Sequence, residues 1–191
     1  IDAFPQHLKD HDLMHKALHG IDFASLWDCH FHLVGTGLSQ TLPSGIWLNP
    51  KMRTWANPLQ RLQYAFYLSA ACVKEPESAD EENLAVISQL ARDIPNGAKF
   101  MLLAFDFYHD QQGKAQKSES TIHTPNEFAA KVASQNKSFE WIASVHPYRE
   151  DCLDKLEWCK AHGAKAVKWL PPAMNIDPSL KVCEPFYDKL I

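Results

Sequence analysis

No uninterrupted apolar run in this chain approaches the ~18 residues of a membrane span, and no long basic run offers itself to a nucleic-acid backbone. Its cysteines, Cys29, Cys72, Cys152, Cys159 and Cys183, are odd in number and form no C-x-x-C. They read as free thiols in a reducing compartment, which predicts a cytoplasmic protein. Cys152 and Cys159 lie two helical turns apart and mark one helix face rather than a ligand pair. No glycine-rich phosphate turn follows any apolar run, so nucleotide binding of the doubly wound kind has no support. Internal repeats and low-complexity segments are absent. Nothing in the composition points to a membrane or a nucleic acid, and a small molecule is the expected partner.

What remains is an ordinary globular balance. The chain has 191 residues, 46% hydrophobic and 22% charged, with a formal charge of −4. That is enough for one domain with a full core. It begins at Ile1 with neither a methionine nor a basic-then-apolar signal, so a processed, tagged or partial sequence is expected.

Strand and helix patterns alternate along it. Pro5 to His19 reads as a helix stopped by Gly20, with His7, His11, His15 and His19 spaced by four. Leu8 and Leu18 share that flank, which suits a solvated face better than a ligand ladder. Leu26 to His32 reads as a strand. Residues 33–57 show no sustained periodicity, and a loop that long suggests a lid. Two helices follow, Pro58–Val73 and Ala79–Asp93, the second closed by Pro95-Asn96-Gly97. Lys99–Phe107 and Phe139–Val145 are apolar enough for strands buried on both faces. The pattern continues with helices at Pro125–Asn136 and Glu150–His162, a strand at Ala164–Leu170, and another helix starting near residue 183. Such alternation predicts a parallel sheet with crossover helices. The strand ends carry His30 and His32, Asp106, His146 and Lys168, the placement of catalytic residues in α/β barrels.

The most informative stretch is Asp28-Cys29-His30-Phe31-His32. Side chains at i and i+2 of a strand share a face, so His30 and His32 project together, with Asp28 on the same parity. Two imidazoles at the C-terminal end of a strand make half of a metal site. Asp28 lies one step deeper and is expected to orient a neighbour rather than to bind metal.

Asp28-x-His30-x-His32, Val145-His146-Pro147 and the segment Gly163-Ala164-Lys165-Ala166-Val167-Lys168-Trp169-Leu170-Pro171-Pro172 together resemble the amidohydrolase superfamily, in particular the amidohydrolase-2 type. The resemblance spans residues 24 to 191. It implies a (β/α)8 TIM barrel, of which this chain supplies about the first four β/α units. Residues 1–22 would be an N-terminal helical arm and 23–191 the N-terminal half of the barrel. A half barrel leaves two sheet edges open, so these residues are expected to be the N-terminal part of a longer protein. The general acid/base and remaining ligands are then expected beyond residue 191.

The activity implied is a metal-dependent hydrolase that uses a metal-activated water on an amide, ester or lactone carbonyl, with Zn, Mn or Fe as the divalent ion. Alternatives are a decarboxylase of the same family, a TatD-like nuclease, and a non-catalytic binding module that has lost its metal. Within this frame His30 and His32 are metal ligands. Lys168 either becomes a carboxylated bridge between two metals, neutralises a substrate carboxylate, or extends to solvent. Asp106 and His146 are candidate substrate contacts; capping a turn and a structural histidine are the respective rivals. Trp47, Arg53 and Trp55 are candidates to cover the pocket, Arg53 reaching an anionic group, against simple aromatic packing. The expected partner is a small, carboxylate-bearing molecule, and a homodimer is among the assemblies allowed.

Overall fold

Each of the four apolar runs becomes a strand of one parallel sheet. The computed structural model describes residues 6–9, 11–94 and 97–191. In chain order its first elements are helices α1 (Gln6–Lys9) and α2 (Asp12–Leu18), strands β1 (Trp27–His32) and β2 (Trp47–Leu48), and helices α3 (Pro58–Ala70) and α4 (Ala79–Asp93). There follow β3 (Lys99–Leu103), β4 (Ile122–His123), α5 (Asn126–Gln135), β5 (Phe139–Ala143), α6 (Cys152–Ala161), β6 (Ala166–Val167), α7 (Pro171–Met174) and α8 (Glu184–Leu190).

The main sheet has the order β1-β3-β5-β6 with every pair parallel. Each crossover adds its strand on the same side of the last, with no reversal of direction. One face carries Phe100, Leu102, Phe139, Trp141 and Ala143, which join Ile87 and Ala91 of α4, Phe128 and Val132 of α5, Leu156 and Cys159 of α6, and Phe186 of α8 in one core cluster. Met101, Leu103 and Ile142 point the other way and cluster only with each other. Helices therefore cover one face of the sheet. No helix among the described residues is long and apolar enough to cross a membrane.

Several elements differ from their sequence patterns for identifiable reasons. The helix expected over Pro5–His19 is two short pieces, with Pro5 and Asp10 outside the described residues; His11 caps α2 by accepting the Leu13 N–H on Nδ1, and His19 is its C-cap. The four histidines thus do not share one helix face. Pro95 and Asn96, expected to end α4, also lie outside the described residues. The strand expected to reach Phe107 leaves the sheet after Leu103, because Phe105 and Thr124 exchange both backbone hydrogen bonds at 2.9 Å. That exchange extends a small antiparallel ribbon, Trp47 opposite His123 and Leu48 opposite Ile122.

The segment after β1 is not a loose lid. Leu48, Met52, Tyr64, Leu68, Ala71, Val73 and Ala79 build a second apolar cluster of their own. Asp80, buried at the start of α4, accepts the N–H groups of Thr36 (2.9 Å) and Gly37 (3.1 Å) and the Ser44 hydroxyl. Gly37 has φ +68°, and a β-carbon there would meet the Ile46 carbonyl oxygen at 1.9 Å. Only glycine fits that close approach.

Candidate functional site

The register of β1 explains its histidines. Asp28 pairs with Phe100, but Phe31 pairs with Leu102 and His32 with Leu103, so one extra residue is inserted between Asp28 and Phe31. The bulge places Asp28 and Phe31 on the helix-covered side of the register and His32 on the side of Leu103. Asp28 does not share the face of His32, contrary to simple alternation. Its Oδ1 instead accepts the His30 backbone N–H at 3.0 Å, which holds the bulge and aims the His30 ring.

His30 and His32 then converge. Their Nε2 atoms are 2.9 Å apart and their ring centroids 4.8 Å apart. Lys168, just after β6, brings its Nζ to 3.5 Å from His30 Nε2. β1 and β6 are opposite edges of a four-stranded sheet, about 14 Å apart if the sheet were flat. An extended lysine and an imidazole that both project from the helix-free face are together long enough to meet across that span.

Charge follows from this crowding. Desolvation, then the neighbouring charges of His30 and Lys168, lowers the His32 pKa below that of an ordinary histidine. Desolvation also lowers Lys168. Both shifts favour neutral nitrogens with lone pairs available for ligation. Two adjacent Nε2 donors are the kind of group that would hold a divalent ion. No group of three or more His, Cys, Asp or Glu is positioned to hold a metal ion among the described residues. The pair fits as part of a ligand set.

The other sequence-predicted residues take different places. His146 is 0% exposed. Its Nε2 donates to the Met174 carbonyl at 2.7 Å, and its Nδ1 accepts the Tyr148 N–H at 3.2 Å. Both ring nitrogens are committed to the backbone, so it offers no substrate contact. Burial pushes its pKa down to about 4. Asp106, at 3% exposed, is likewise enclosed. It accepts the N–H of Phe107 (2.8 Å) and of His146 (3.0 Å) and pairs with Arg149 Nη1 at 3.3 Å. Its carboxylate is the knot that joins the ends of β3 and β5 rather than a group facing a ligand. Trp47, on β2, packs edge-on against Phe107 with centroids 5.5 Å apart. Arg53 sits against α3, its carbonyl accepting from Arg61 Nη1 at 3.0 Å, while Trp55 is exposed beneath the Arg61 guanidinium. Among the described residues, no hydrogen bond or ion pair joins Trp47 or Arg53 to His30, His32 or Lys168.

Two further groups emerge from the structure. His123 stacks on Phe107, centroids 3.9 Å apart, and its buried Nδ1 has no hydrogen-bond partner among the described residues. Burial lowers its pKa against the opposing charge of Asp106. Arg149 was missed as the counter-ion of Asp106; its place three residues after His146 was the available clue. A separate cleft of about 640 Å³ is lined by His109, Gly113, Ala115, Arg149, Glu150, Asp151 and Asp154. None of its lining residues belongs to the His30–His32–Lys168 group.

In comparisons with known proteins, no family model matches this chain, and neither a curated protein nor a solved structure is found to be similar to it.

Proposed function

We propose that the chain contributes part of the metal centre of a metal-dependent hydrolase acting on an amide, ester or lactone carbonyl of a small molecule. The observation that carries this reading is the convergence of His30 Nε2, His32 Nε2 and Lys168 Nζ within 3.5 Å of the next nitrogen, on the helix-free face of the sheet. Sequential parallel strand order and helices on one face are features that a (β/α)8 barrel has. The open edges of β1 and β6 are where further strands would pair, which supports reading the sheet as the first four units of such a barrel.

In this reading His30 and His32 hold one divalent ion, with zinc, manganese or iron as the candidates. A bound ion lowers the pKa of a water and polarises a carbonyl. Asp28 fixes the peptide that carries His30. Desolvation lowers the Lys168 pKa; as the neutral amine it would form a carbamate with carbon dioxide, and as the ammonium it would pair with a substrate carboxylate.

The test is metal analysis of protein purified without chelator, followed by assay on ester, amide and lactone panels with carbon dioxide release monitored. One equivalent of metal in the wild type, lost in His30→Ala and in His32→Ala, is the expected result. Metal content unchanged in both variants would overturn the assignment. Carbon dioxide release without hydrolysis would replace the hydrolase by a decarboxylase.

A further inference from the structure

Helix α3 buries one face and leaves the opposite one bare. Tyr64 and Leu68 enter the second apolar cluster. On the far side Leu59 is 83% exposed, Leu62 68% and Phe66 67%. These three follow the spacing i, i+3, i+7 and line up as a single stripe. Gln63, Ala65, Ser69 and Ala70 complete that exposed surface, and none of them is charged. Arg61 is the only charged residue of α3, and its guanidinium is held 4.0 Å over the Trp55 ring.

An isolated exposed leucine needs no explanation, but two leucines and a phenylalanine in register on one helix do. The spacing is that of a seam by which helices pack against one another at a shallow angle. The stripe and its small neighbours present on the order of 500 Å² of surface. Pairing the stripe with a copy of itself removes about 1,000 Å², the area at which a specific interface begins. No residue of the stripe itself is charged, while Arg61 and Lys74 flank it in the cleft that Ala65 and Ser69 line; a twofold arrangement centred on the stripe therefore sets none of its own residues against a like charge. A self-complementary patch is what a twofold dimer requires.

We infer that the Leu59–Leu62–Phe66 face of α3 is the contact between two copies of this chain, packed helix on helix about a twofold axis. The interface lies on the excursion between β1 and α4 and includes none of His30, His32 and Lys168.

Light scattering on size-exclusion eluate, run from low to high micromolar protein, tests this. The wild type is expected to be a dimer, and the Leu62→Glu/Phe66→Glu variant a monomer with an unchanged thermal midpoint, its dimer dissociation constant raised by about 100-fold or more through facing carboxylates. A second arm guards against a variant that fails to fold. In a background with Cys29→Ser and Cys72→Ser, Leu62→Cys is expected to oxidise to a covalent dimer, whereas Gln60→Cys, off the stripe, is not. A wild type that stays monomeric at high micromolar concentration overturns the inference, as does a double variant that stays dimeric. A monomeric wild type whose double variant melts lower assigns the stripe to contacts within one copy, which also overturns it. Equal cross-linking at positions 60 and 62 overturns it as well.

Discussion

His146 donates from Nε2 to the Met174 carbonyl oxygen across 2.7 Å, and the ring is fully enclosed. The imidazole therefore acts as a neutral strut between the end of β5 and the end of α7. Its pKa of about 4 lies below the ordinary value of 6.5. Between those two pH values the unfolded chain binds a proton that the folded chain does not, so stability rises with pH through that window. The contribution is present above about pH 6.5 and is lost as pH falls toward 4, by roughly 3 kcal/mol. His32, also lowered, adds a term of the same sign. Urea melts at pH 7.5, 5.5 and 4.5 should show the loss, and His146→Gln should flatten it. An equally steep profile in the variant would count against this role.

Asp106 and Arg149 predict a stability defect without a metal defect. Asp106 holds the Phe107 and His146 backbone N–H groups and neutralises a partly buried guanidinium. Asp106→Ala should destabilise by about 3 kcal/mol, because it orphans those donors and leaves the arginine unpaired. Asp106→Asn keeps an acceptor and should lose about half as much. Denaturant midpoints give the stability, and metal content should stay at the wild-type level. A loss of metal at full stability would return Asp106 to the candidate centre.

The excursion after β1 depends on one carboxylate. Asp80→Ala removes the acceptor for Thr36, Gly37 and Ser44, at an expected cost of about 2–3 kcal/mol. Limited proteolysis should then cut within residues 36–46 before the rest of the chain. Gly37→Ala should give the same early cleavage, since its β-carbon has no room beside Ile46. Wild-type resistance in both variants would show that the apolar cluster alone holds the segment.

Asp28 offers a test of how the histidine pair is aimed. Removing its hydrogen bond to the His30 peptide in Asp28→Ala should weaken metal binding by about 10- to 100-fold. Competition against a chromophoric chelator would measure this. Affinity equal to wild type would mean that the bulge holds its shape unaided.

The alternation of strands and helices was legible because it rests on local pattern. Lys99–Leu103 and Phe139–Ala143 are apolar on both faces, as strands between two neighbours must be, and Pro58 and Gly163 mark helix boundaries that the chain observes. The H-x-H pair was legible for the same reason. Its partner Asp28 was misplaced, since a bulge of one residue leaves no mark in composition and inverts every parity before it. The ribbon of β2 and β4 was invisible because two residues on each side, paired across a long sequence separation, carry no period at all.

Burial decided the remaining roles. Asp106, His146 and Lys168 all stand at strand ends in the sequence, where any of them is free to face a ligand. The sequence by itself determined which residues lie at those ends, because hydrophobic runs and turn residues are properties of neighbouring positions. Only the tertiary structure separated an enclosed carboxylate and an enclosed imidazole from a lysine that reaches across the sheet to His30. That separation depends on which polar groups find partners 28 to 138 residues away, and no local pattern records such distances.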